Sequence, residues 1–145
     1  MNLIHILVVE DNEGDIFLIK EALEEGKIVN KISVTKDGKE AIDFLEKKEK
    51  YKNEETPDLI LLDVNLPKKN GHEVLKYIKT SDHLKQIPVI MLTTSSSDKD
   101  VLLSYKNHAN CFITKPLDVN NFLTIISGIE SFWINIVKLP KNKKQ

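Results

Sequence analysis

The sequence predicts an α/β protein with a doubly wound parallel sheet, helices covering both of its faces. Short apolar runs alternate with amphipathic stretches of helical spacing five times along the 145 residues. The strongest runs, IHILVV at 4–9, LILL at 59–62 and VIML at 89–92, are apolar at consecutive positions. Strands of that kind are buried on both faces, as parallel sheets require. Acidic residues follow two of these runs directly, at the strand ends where open α/β sheets collect ligands.

Ile4–Val9 is β-branched and too short for a core helix, so it reads as the first strand. Asp15 can cap a helix whose inner face holds Leu18, Ile19, Ala22 and Leu23, with Gly26 as its stop. A weaker strand, Ile32–Thr35, alternates Ile32 and Val34 with polar neighbours, and Gly38–Lys48 carries Ala41, Ile42 and Leu45 at helical spacing. Leu59–Leu62 is the third strand, and Gly71–Thr80 places Val74, Leu75 and Ile78 on one side of a helix. Val89–Leu92 follows Pro88, and Ser97-x-x-Asp100 resembles a capping box before Val101, Leu102 and Tyr105. Cys111–Ile113 is a short inner strand, and Asp118 can cap a long last helix reaching about Val137.

Composition narrows the classes. The length suits one domain, and 30% charged with 41% hydrophobic residues describes an ordinary globule. Twenty-one basic residues stand against 22 acidic ones, and every basic residue is Lys. Without Arg to read guanine, and near neutrality, nucleic acid is not an expected partner. The single Cys111 excludes an intramolecular disulfide and fits a reducing compartment. No apolar run approaches the ~20 residues of a membrane span, and the N-terminus lacks a signal-peptide pattern. The expected location is the cytoplasm, away from membranes. His5, His72, His83 and His108 lack metal-ligand spacing and read as incidental.

The chemistry gathers at one rim. The first strand ends in Glu10-Asp11, the third in Asp63, the fourth in Thr93-Thr94 and the fifth in Thr114-Lys115-Pro116. Clustered carboxylates repel, so a proton or a cation must accompany them. An all-oxygen donor set with open positions suits Mg²⁺, which keeps waters and favours a phosphate partner. Lys115 can neutralise a phosphate and Thr93 can donate to one of its oxygens. A carboxylate held beside such charges is a competent nucleophile toward phosphorus, giving an acyl phosphate. The residues therefore point to Mg²⁺-dependent phosphoryl transfer onto Asp63.

These segments resemble the receiver domains of bacterial two-component response regulators. ILVVEDNEGD is similar to the family's acidic opening, LILLDVNLPKKNG to its acceptor segment, PVIMLTTS to its switch-threonine strand and FITKPLD to its lysine-proline turn. The resemblance spans roughly Ile4 to Ile136. It implies a flavodoxin-like five-stranded sheet in the order 2-1-3-4-5, with five helices. It implies that Asp63 accepts a phosphoryl group from a histidine kinase, that Thr93 follows that group and that Lys115 pairs with Asp63 or its phosphate. Glu10, Asp11, Asp63 and the backbone carbonyl of Asn65 would hold Mg²⁺. Phe112 stands at the rotameric aromatic switch position without the hydroxyl often found there. A cis Lys115–Pro116 peptide is implied as well. Asn65 and Ser95 occupy positions that tune phosphate lifetime in the family.

The loop KKEKYKNEETP and the ending ESFWINIVKLP resemble the small regulators serving bacterial phytochrome kinases. On that basis residues 1–137 form the receiver and 138–145 a flexible basic tail, with no room for an output domain. In the last helix Phe122, Ile126, Ile129, Trp133 and Ile136 can face the sheet. Leu123, Ile125, Phe132, Ile134 and Leu139 cannot all share that face, so a homodimer through the last helix and strand is expected. Signalling would run through the surface of the fourth helix, fifth strand and fifth helix. Phosphatases that form aspartyl-phosphates place a second acid two residues after the nucleophile, where this chain has Asn65. FMN binding is excluded because Glu10-Asp11 would repel its phosphate. A receiver-like scaffold that takes no phosphate would usually have lost an acid or the lysine, and all are present.

Overall fold

The computed structural model describes residues 4–26 and 29–140. The elements are β1 (Ile4–Val9), α1 (Glu13–Glu25), β2 (Val29–Thr35), α2 (Gly38–Leu45), a 3₁₀ turn (Glu49–Tyr51), β3 (Leu59–Leu62), α3 (Gly71–Lys79), β4 (Val89–Thr93), α4 (Asp98–Lys106), β5 (Cys111–Thr114) and α5 (Val119–Ile129), which runs on into a π-helical segment (Glu130–Ile136). All strand pairs are parallel and the order is β2-β1-β3-β4-β5. Among the described residues no helix is long and apolar enough to cross a membrane. The basic tail expected over 138–145 lies outside the described residues from 141 onward.

The pleat divides the core in two. Ile6, Val8, Leu59, Leu61, Ile90 and Leu92 face α1 and α5, meeting Ile19, Leu23, Phe122, Ile126 and Ile129. Leu7, Val9, Ile60, Leu62, Val89 and Met91 point the other way, onto Ala41, Phe44, Val74, Leu75 and Ile78 of α2 and α3. Strict alternation along three central strands, with both faces covered, is why these runs are continuously apolar.

Several boundaries differ from the sequence expectation. Asn12, not Asp15, caps α1: its side chain accepts the Asp15 N–H at 2.9 Å. Helix α2 stops at Leu45 rather than Lys48, because Lys47 takes a left-handed φ of 58°. Cys111 lies on the edge strand and is only partly buried. In α4 only Ser104 is buried, while Leu102 and Tyr105 are 59% and 48% exposed. The largest change follows the α-to-π switch at Glu130. A wider turn moves the inward position from i+4 to i+5, so Ile134 rather than Trp133 succeeds Ile129 in the core. Ile136, expected to face the sheet, is 71% exposed, and Trp133 packs only partly buried. Gly26 lies under the Glu130 side chain, where a Cβ would sit 1.6 Å from the carboxylate. One oxygen of that carboxylate is buried without a hydrogen-bond partner, and burial raises its pKa.

Candidate functional site

The carboxyl ends of β1, β3, β4 and β5 meet at one rim because the strands are parallel and adjacent. The Glu10 N–H continues the ladder to the Thr35 carbonyl at 3.0 Å, and the Asp63 N–H to the Val9 carbonyl at 3.1 Å. Both side chains are thereby fixed just beyond the sheet, Glu10 at 2% and Asp63 at 6% exposure. Glu10, Asp11 and Asp63 each offer one carboxylate oxygen within 4.8 Å of the other two, with Asp11 on the open side. The Asn65 N–H donates to Asp63 Oδ1 at 3.3 Å, so the turn after β3 folds back over the acid.

Lys115 reaches this cluster from β5. Its Nζ donates to Glu10 Oε1, to Asp15 Oδ2 at 2.9 Å and to Asp63 Oδ2 at 3.3 Å. Asp15 is the site residue that sequence reasoning missed, having been assigned to the cap. The signal was present: Asp15 stands in the first turn of the helix that leaves the rim directly after Glu10-Asp11. The Lys115–Pro116 peptide is trans, contrary to expectation, since no cis bond occurs among the described residues. Trans is the intrinsically favoured isomer by about 0.5–1 kcal/mol, and Lys115 meets all three carboxylates without leaving it.

Thr93 is fully buried at the end of β4, its carbonyl accepting the Lys115 N–H at 2.6 Å and its hydroxyl the Ser95 N–H at 3.3 Å. Phe112 is partly buried against the α2–α3 side of the core, and its N–H donates to the Tyr105 hydroxyl at 3.1 Å. Gly71 presses on the turn that follows β3: a Cβ there would meet the Asp63 carbonyl oxygen at 2.0 Å. Gly38 makes the same kind of approach to the Lys69 carbonyl oxygen, at 1.9 Å.

Electrostatically the site holds four carboxylates against one ammonium. Burial pushes the Glu10 carboxyl up to about 7, with the Lys115 hydrogen bond opposing. Burial alone would lower Lys115, but its bonds to Glu10 and Asp15 prevail and hold its ammonium above the usual lysine range. Between about pH 4.5 and 7 the folded chain therefore keeps a Glu10 proton that the unfolded chain has lost. Stability is expected to fall as pH rises through that window, by on the order of 2 kcal/mol, while Lys115 stays charged throughout. Urea unfolding at about pH 5 and about pH 7.5 measures the slope, which Glu10→Gln should remove.

The donor set fits a hard divalent cation: all-oxygen, net negative, one acid exposed and two held from behind. A buried carboxylate, a neighbouring lysine and a hydroxyl on the next strand form an arrangement suited to phosphoryl transfer to an acid.

The fold and this rim define a response regulator receiver domain, and the chain belongs to that family, which it matches over residues 6–127. Among individual relatives it is 45% identical over 135 residues to the response regulator Rcp1 of Synechocystis sp., covering 93% of this chain and 92% of Rcp1. It superposes on the Mn²⁺-bound form of Rcp1 with a TM-score of 0.92 at 44% identity, over 94% of this chain and 99% of that one. The phosphorylated cyanobacterial phytochrome response regulator RcpA gives a TM-score of 0.94 at 44% identity, over 97% of this chain and all of RcpA.

Proposed function

We propose that residues 1–137 work as a phosphorylation-operated switch that takes a phosphoryl group onto Asp63 from the phosphohistidine of a sensor histidine kinase. The observation carrying this reading is the triple hold on Lys115 by Glu10, Asp15 and Asp63, directly behind the acidic cluster. One Asp63 oxygen attacks phosphorus, an O–P bond forms, the N–P bond breaks, and the leaving imidazole takes up a proton. Lys115 balances charge on Asp63 and the incoming phosphoryl oxygens, and the Thr93 hydroxyl turns to donate to one of them. Glu10, Asp11, Asp63 and the Asn65 carbonyl would hold Mg²⁺, which when bound neutralises charge developing on the phosphoryl oxygens. The Mn²⁺ in the Rcp1 structure and the phosphorylated state of RcpA support both halves of this reading. The phytochrome in the name of RcpA favours a kinase of the phytochrome type.

The output is a population shift in the surface made by α4, β5 and α5. Phe112, lacking a hydroxyl, can swing inward without gaining a hydrogen bond. Exposed Leu102, Tyr105, Phe132 and Ile136 give that surface its apolar character, and a homodimer through the last helix and strand would cover part of it. Intact mass and light scattering on the same samples test the proposal, with acetyl phosphate as donor and with or without Mg²⁺. The expected result is one phosphoryl group gained with Mg²⁺ and at least about tenfold slower uptake after chelation. Phe132→Ser with Ile136→Ser should lower the mass of any dimer and leave phosphoryl uptake unchanged. Uptake indifferent to Mg²⁺ would overturn the metal assignment, and a monomer throughout would overturn the dimer.

A further inference from the structure

The four residues 94–97 carry the chain from Thr93 to α4, and they are fastened at more points than a connection needs. The Ser95 hydroxyl donates to Asp100 Oδ2 at 2.5 Å, its N–H to the Thr93 hydroxyl at 3.3 Å, and its carbonyl accepts from Thr114 Oγ1 at 3.4 Å. Asp100 does not close the capping box its spacing promised. The Ser97 hydroxyl accepts the Asp100 N–H at 3.1 Å, but the Asp100 carboxylate is spent elsewhere, with one oxygen on Ser95 and the other on His72 Nε2 at 2.8 Å. A carboxylate only accepts, so Nε2 carries a proton. His72 Nδ1 is buried with no partner among the described residues, so an acceptor lone pair there is cheaper than a buried N–H.

His72 adjoins Gly71, the residue that presses on the Asp63 carbonyl. A continuous path of contacts thus leads from the acceptor backbone through α3 to His72, Asp100, Ser95 and the Thr93 hydroxyl. Hydrogen bonds from Ser95 and His72 hold the Asp100 carboxyl below the usual carboxylate range. Helix α4 buries only Ser104, so apolar packing does little to fix it, and this carboxylate is a main tie at its first turn.

We infer that Asp100, oriented by His72, is a positioning residue that holds Ser95, and with it the Thr93 hydroxyl, in the unphosphorylated arrangement. Ser95 must leave Asp100 before that hydroxyl can reach a phosphoryl group on Asp63. The inference rests on the receiver chemistry proposed above. It assigns a function to a histidine that spacing had marked as incidental. His72 acts through a single N–H, so a side chain that restores one donor at that place restores the hold.

The test uses the full chain with Mg²⁺ and acetyl phosphate, following initial uptake by intact mass. Amide hydrogen exchange of residues 94–97 is measured in parallel on the unphosphorylated protein. Ser95→Ala, Asp100→Asn and His72→Ala should each speed uptake roughly tenfold, the worth of one charge-assisted hydrogen bond, and speed exchange in the turn. His72→Gln, which keeps a donor toward Asp100, should return both readouts to within about threefold of wild type. Combining Ser95→Ala with Asp100→Asn should add little to either alone. Slower uptake in the single variants, unchanged exchange, or a His72→Gln protein behaving like His72→Ala would overturn the inference while leaving Asp63 as acceptor. A wild-type chain that takes no phosphoryl group from acetyl phosphate or from a histidine kinase would overturn the receiver chemistry itself.

Discussion

Asp63→Asn is expected to abolish phosphoryl uptake, a loss of at least about 10³-fold, with the fold intact. Asparagine has the same shape and still offers an oxygen to the Asn65 N–H, but its amide is no nucleophile toward phosphorus. Lys115 keeps Glu10 and Asp15 as partners, so no buried ammonium is stranded. The remaining acids do not substitute. Glu10 is committed to Lys115 and the Asn12 N–H, and Asp11 is the exposed member of the acidic cluster. Removing one of four crowded carboxylates relieves repulsion, so the melting temperature should hold or rise. Intact mass after acetyl phosphate and Mg²⁺ decides the matter. Labelling at a rate near that of wild type would move the acceptor to another side chain.

Gly71→Ala is expected to be strongly damaging for a change of one methyl group. Its Cβ would lie 2.0 Å from the Asp63 carbonyl oxygen and 2.7 Å from Val64 Cα, and both obstacles are backbone. No rotamer relieves that. Either α3 lifts from the sheet or the end of β3 bends, displacing Asp63. A cost of about 3 kcal/mol follows, a fall of roughly 10 °C in Tm, together with slowed phosphoryl uptake. Gly128→Ala serves as the opposite case. It sits on α5, where an added methyl would meet nothing within 4 Å, and alanine is the better helix former by about 1 kcal/mol. Thermal melts of the two proteins should move in opposite directions.

The sheet was legible because its signals are local. β1 and β3 have the bounds their apolar runs predict, and Glu10, Asp63 and Lys115 directly follow the strands that deliver them. Glu10, Asp11, Asp63 and Lys115 could therefore be placed together from chain order alone, given parallel strands. Asp15 was harder. Asn12 and Asp15 are equally good caps by residue type, and choosing Asp15 hid the fact that its carboxylate is free to reach Lys115. The π segment was not legible, since Ile129, Phe132, Trp133, Ile134 and Ile136 satisfy a 3.6-residue period as readily as a wider one. Likewise Asp100 satisfied the capping-box pattern by type, yet a tertiary partner 28 residues away in sequence claimed its carboxylate.

The contact between Gly26 and Glu130 has a consequence for heredity. The end of α1 and the start of the π segment share one small volume, occupied by a carboxylate because residue 26 has no side chain. A Cβ at 26 would displace the tip of a flexible side chain rather than backbone, so Glu130 would have to turn out of that volume, and a shorter residue at 130 would leave it open. Across descendants of a common ancestor a bulkier residue at 26 should therefore favour a shorter or turned-out one at 130, a mark of shared space between segments more than 100 residues apart.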